Sequence, residues 1–129
     1  MADDAAQPFD RPLDIAPDAV FWRRVRPDWI IPDENLGRRR PSSAAFDDDR
    51  DGDPMSMYQA NAGNAVEDVL QGFDGYGLVS LTGAQLKALG YAVFSRPEQG
   101  FPSHVEVSGK KTKGAKSNMA KNALWVFEP

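Results

Sequence analysis

Residues 77–94 read GLVSLTGAQLKALGYAVF, and this stretch decides the fold class. Gly77–Leu81 is a short apolar run of strand length, bounded by turn and cap residues. Thr82 and Gln85 stand three apart, the spacing at which each side chain can bond the other's backbone N–H at a helix start. Leu86 and Leu89 follow at helical spacing and are expected to face a core. Gly90 is placed to end the helix in a left-handed conformation. Residues 91–94, YAVF, return to an apolar strand that stops at Arg96-Pro97. The unit is strand, helix, strand.

Downstream, the same order repeats. HVEV (104–107) alternates with Val105 and Val107 on one face. A lysine-rich turn opens at Gly109, a helix is expected over 115–123, and LWVF (124–127) closes as a strand. Upstream, the chain is richer in strands. VFWRRV (20–25) joins β-branched and aromatic residues. DWII (28–31) is a short extended piece ending at Pro32, DENLGRRRP (33–41) is a loop, and SSAAF (42–46) is a short strand. MSMYQ (55–59) sets Met55, Met57 and Gln59 against Ser56 and Tyr58. A helix is expected after Gly63, with Asn64 as cap, Glu67 completing a capping box, and Gly72 at its end. Strands and helices mix without strict alternation. The expectation is an α+β single domain over 19–129, with a mixed, mostly antiparallel sheet and two or three short helices.

A chain of 129 residues fits one domain, and 41% hydrophobic with 26% charged residues is a globular composition. The absence of cysteine excludes disulfides, thiolate metal sites and a cysteine nucleophile. No apolar run is long enough to span a membrane, and the N-terminus has neither the basic nor the apolar region of a signal peptide. A cytoplasmic protein is expected. Residues 1–18 carry five aspartates against Arg11, which accounts for the whole net charge of −4. They are read as a flexible acidic arm. The rest is neutral with segregated charge: Arg23, Arg24 and Arg26; Arg38, Arg39 and Arg40; Asp47 to Asp53; and Lys110, Lys111, Lys113, Lys116 and Lys121.

Four features bear on chemistry. Asp47, Asp49, Asp51 and Gly52 open like a calcium loop, but the twelfth position is Tyr58, which cannot chelate as the required bidentate Glu does. The loop is read as a solvated acidic turn, and no metal is expected. His104 is the one histidine, so no histidine-rich metal site can form, and it stands as a candidate acid or base. Gly109 and Gly114 have the glycine spacing of a phosphate loop, but Ala115 stands where that loop needs lysine. Lys110, Lys111 and Lys113 remain candidates for holding an anion at a helix start. Arg24, Arg38, Arg39 and Arg40 are the other anion candidates, because a planar guanidinium grips phosphate or carboxylate bidentately.

The segments WIIPDENLG (29–37), RPSSAAF (40–46), MSM (55–57) and HVEVSGKKTK (104–113) resemble a family of small, uncharacterised bacterial proteins. That resemblance implies no activity. Phe21-Trp22-Arg23-Arg24, Gly37-Arg38 and Met57-Tyr58 are remotely similar to the RES-type, NAD-consuming ADP-ribosyl-transfer folds. This second resemblance implies NAD as cofactor, with Arg23 or Arg24 and Ser42 or Ser43 touching it and Glu67 as the acid. The candidate catalytic set is therefore Arg24, Ser43, Glu67 and His104.

Three functions compete. The leading one is an interaction or accessory domain whose basic face takes an anionic ligand or a protein partner. The alternatives are an NAD-consuming transferase and a nucleic-acid-binding accessory protein. The enzyme reading requires Arg24, Ser43 and Glu67 to share one cleft.

Overall fold

The computed structural model describes residues 11–49 and 53–129. Residues 1–10 of the expected arm, and Asp51 and Gly52 of the acidic turn, lie outside the described residues.

Among the described residues, eight strands and three α-helices form. The strands are β1 Val20–Val25, β2 Ile30–Asp33, β3 Arg38–Pro41, β4 Met55–Gln59, β5 Gly77–Thr82, β6 Ala92–Ser95, β7 His104–Ser108 and β8 Leu124–Phe127; the helices are α1 Val66–Leu70, α2 Gly83–Ala88 and α3 Lys113–Asn122. Six strands make one sheet in the order β6-β7-β4-β1-β5-β8, and β2 and β3 make a separate hairpin. Every neighbouring pair is antiparallel. Following these pairings across the sheet, β5 runs parallel to β6, and β7 runs parallel to β8. Each strand–helix–strand unit therefore crosses the sheet to a distant position. The result is the expected α+β fold.

Strand alternation divides the sheet into two faces. Phe21, Val25, Met55, Met57, Val79, Leu81, Val93, Val105 and Val107 form the larger core with Leu86 of α2, Met119 and Ala120 of α3, and Ala123 just beyond it. Trp22, Tyr58 and Leu78 meet Val69 of α1 on the opposite face. No helix among the described residues is long and apolar enough to cross a membrane.

The Thr82 box forms as expected. Thr82 N–H donates to Gln85 Oε1 at 2.7 Å, and Gln85 N–H donates to Thr82 Oγ1 at 3.2 Å. Four expectations are corrected. SSAAF is a 3-10 turn over Ser43–Phe46, not a strand; Ala45 and Phe46 drop fully buried into the larger core. The loop at 33–41 is mostly the β2–β3 hairpin, turned where Asp33 Oδ1 accepts from Asn35 N–H and Leu36 N–H. Asn64 does not cap α1. Its side chain bonds Ser103 and Gly100 instead, and Asp68, not Glu67, accepts from the N-cap backbone of Ala65. Finally, residues 11–18 are docked rather than arm-like. Leu13 N–H donates to Val93 O at 2.7 Å, and Ile15 is buried. Gly83 permits this approach: a Cβ there would meet the Ala16 carbonyl oxygen and would stand 2.7 Å from Ile15 Cγ2.

Candidate functional site

A cleft opens in the middle of the sheet because two central strands part. β1 pairs with β4 only at Phe21–Gln59 and Trp22–Tyr58. Beyond that point the next two residues of β1, Arg23 and Arg24, point to opposite faces and meet different partners.

Arg23 fills the split. Its Nε donates to Ala45 O at 2.8 Å, and its Nη1 donates to Ser56 O at 2.7 Å and to Asp49 Oδ1 at 3.3 Å. The Ser56 carbonyl thus gains a side-chain donor where the β1 ladder has stopped. Burial lowers the Arg23 pKa, and Asp49 opposes that.

Arg24 lies on the α1 face. Its Nε donates to Val69 O at 2.7 Å. Its guanidinium carbon stands 3.8 Å from the Phe73 ring centroid and 4.7 Å from that of Tyr58, which is cation–π geometry. Burial lowers its pKa, and burial raises that of Tyr58 against the pull of Arg24. Among the described residues, Arg24 is the one cation at least partly shielded from water with no carboxylate in ion-pair range.

Beside it runs a hydrogen-bonded chain. Ser56 Oγ donates to Asp49 Oδ2 at 2.6 Å, and His104 Nε2 is 3.0 Å from Ser56 Oγ. His104 Nδ1 is 2.6 Å from Arg96 O. A carbonyl only accepts, so Nδ1 carries a proton and the ring orientation is fixed. The contacts Oδ2–Oγ and Oγ–Nε2 need two protons, and the hydroxyl supplies one. Ser56 Oγ can donate to only one of these two neighbours at a time. Glu98 Oε1 stands 3.9 Å from Nε2. The register explains the assembly: Tyr58 pairs with His104 across β4 and β7, so Ser56 and His104 emerge on one face. These groups line a cleft of about 280 Å3 with Trp29, Phe73 and Tyr76 along it.

The expected site residues divide accordingly. Arg24 and His104 share the cleft. Ser43 is exposed on the 3-10 turn, and Glu67 lines a neighbouring groove with Leu70 and Phe127. Arg24, Ser43 and Glu67 therefore do not line one cleft. Arg39 pairs with Glu128 at 2.9 Å and Arg40 with Asp33 at 2.6 Å, while Arg38 is exposed. Lys110 and Lys113 are exposed. Lys111 is buried, and its ammonium donates to Asp48 Oδ1, Val107 O and Gly109 O at 2.7 to 2.8 Å, which uses all three of its protons.

The acidic stretch is thus an internal counter-ion. Asp47 pairs with Lys116, Asp48 with Lys111 and Asp49 with Arg23. The hydrogen bond from Lys116 holds the Asp47 carboxyl below its usual range. Ser56 had no mark as a site residue in the sequence beyond the alternation of MSMYQ, while Asp49 and Tyr58 stood out only in the calcium-loop comparison and, for Tyr58, in the remote resemblance. Comparison with protein-family models, with curated proteins and with solved structures finds no match.

Proposed function

We infer that this domain binds a small anionic ligand carrying a flat apolar group, seated in the cleft where β1 and β4 part. One observation carries the reading: the Arg24 guanidinium is partly desolvated, stacked on Phe73, and without a carboxylate partner among the described residues. An incoming carboxylate or phosphate supplies the missing charge and meets a planar fork. Trp29, Phe73 and Tyr76 offer ring faces to the apolar part. The anion-binding role expected of the basic elements thereby moves from the loop arginines and the lysine turn to Arg24.

The test is a melting series with AMP and with inorganic phosphate. A ligand that binds the native state raises apparent stability by about 2.7 kcal/mol at a hundred times its Kd. AMP is expected to raise Tm more than phosphate, and Arg24→Gln is expected to abolish both shifts. Equal shifts in wild type and Arg24→Gln, or none in wild type, refute the reading.

A further inference from the structure

We propose that Ser56 is a nucleophile, with His104 as its general base, and that the cleft acts on activated carboxylic esters carrying an anionic group. Only the anionic group rests on the ligand reading above. The serine and histidine stand on their own geometry.

Nucleophilic serine catalysis needs a hydroxyl within reach of a base, and a base oriented by a third group. Ser56 Oγ and His104 Nε2 are 3.0 Å apart. The Arg96 carbonyl, 2.6 Å from Nδ1, turns the imidazole so that Nε2 faces the hydroxyl. A carboxylate does that orienting in the familiar triad; here a backbone carbonyl fixes the same tautomer. His104 is 4% exposed, so the ring cannot swing away, and Ser56 is half-buried at the cleft wall.

Asp49 sets the resting state. With the hydroxyl turned to Asp49, Oγ has no base and the pair is idle. With the hydroxyl turned to the imidazole, Nε2 accepts from Oγ and serves as its base. The charged and titratable groups around the ring are Glu98 at 3.9 Å, Tyr58 with its ring centroid at 5.5 Å, and Asp49 through Ser56; Arg96 is occupied by Glu106 at 3.3 Å.

The steps balance. Oγ attacks the ester carbonyl carbon, and its proton passes to Nε2. The carbon–oxygen bond to the leaving alcohol breaks, and that oxygen takes the proton from Nε2. Water then attacks the acyl-serine with the same base, releasing the acid and restoring Ser56.

Diisopropyl fluorophosphate, an uncharged probe, tests the proposal without needing Arg24. The Oγ–P bond forms as the hydroxyl proton passes to Nε2, the P–F bond breaks, and fluoride leaves. The full chain is expected to take one adduct, on Ser56 by peptide mass, and Ser56→Ala none. His104→Gln, if its melting curve stays cooperative, is expected to label about a hundredfold slower, the usual worth of a positioned base. If that variant unfolds, the wild-type pH profile decides. Labelling should rise as pH is raised, because a general base works only in its unprotonated form. No adduct on folded wild type, an unchanged rate in folded His104→Gln, or a flat pH profile overturns the proposal.

Discussion

Replacing Arg23 with methionine should cost about 3–5 kcal/mol of stability, chiefly from the buried acceptors it leaves unmade. The structure supports that range. Ala45 O loses a donor at 2.8 Å and Ser56 O one at 2.7 Å, both inside the sheet split. Leaving a buried acceptor unmade costs about 1–3 kcal/mol each. Asp49 is about one-third exposed and keeps its bond from Ser56, so its lost ion pair adds about 1 kcal/mol at most. The methionine stem fills similar space, so no large cavity term enters. A domain of this kind has about 5–15 kcal/mol in total, so the loss is readily measured. Urea unfolding followed by tryptophan fluorescence is the assay, with the midpoint falling and the slope unchanged. Arg23→Lys should fall between, because one ammonium cannot reproduce the fork. Arg26→Met is the control, since the exposed Arg26–Asp28 pair at 2.9 Å should contribute no more than about 1 kcal/mol. A loss for Arg23→Met no larger than for Arg26→Met would refute the assignment of Arg23 as the pin of the split.

Two further outcomes are expected. Gly83→Ala should destabilise markedly, because the new Cβ meets the Ala16 carbonyl, whereas Gly114→Ala in α3 meets nothing within 4 Å and should stabilise by about 0.5–1 kcal/mol; paired melting curves with the opposite signs would remove the reason for the docking of residues 11–18. Asp33 and Asp47 both have carboxyl pKa values lowered, by hydrogen bonds from Arg40 and Lys116 respectively. Their contribution is therefore present above the unfolded carboxylate pKa and is lost as pH falls through the folded values. Asp33→Asn with Asp47→Asn should flatten that acid limb in a pH series of melting temperatures, and an unaltered limb would contradict the pairing.

The local grammar of the chain was legible where a short segment states its own structure. Thr82 and Gln85 predicted a box, and the box is there, because its partners are three residues apart. SSAAF was misread for the opposite reason. Serine and alanine carry little preference, and the segment's shape is decided by Phe46 entering the core and by Arg23, twenty-two residues earlier, bonding Ala45 O. Asn64 is a good cap by type, but Ser103 offers it a 2.6 Å hydrogen bond from across the fold. The cleft was legible only in part. Arg24 and His104 were visible as residue types, while Ser56 became a site residue through the β4–β7 register, which no local pattern encodes.

The charge pattern carries the strongest argument about the site. In sequence, the arginines near residue 23, the aspartates of 47–49 and the lysines of 111–116 look like three separate patches. In the fold they cancel one another: Arg23 with Asp49, Lys111 with Asp48, Lys116 with Asp47. Lys111 and Lys116 are closed into these ion pairs, while Lys110 and Lys113 of the lysine turn stay exposed. Arg24 escapes this cancellation because β-alternation turns it to the face opposite Arg23 and onto Phe73 and Tyr58. Aromatic faces stabilise a guanidinium without neutralising it. This shielded cation beside the Ser56–His104 pair is the reason the proposed anion site is set at Arg24.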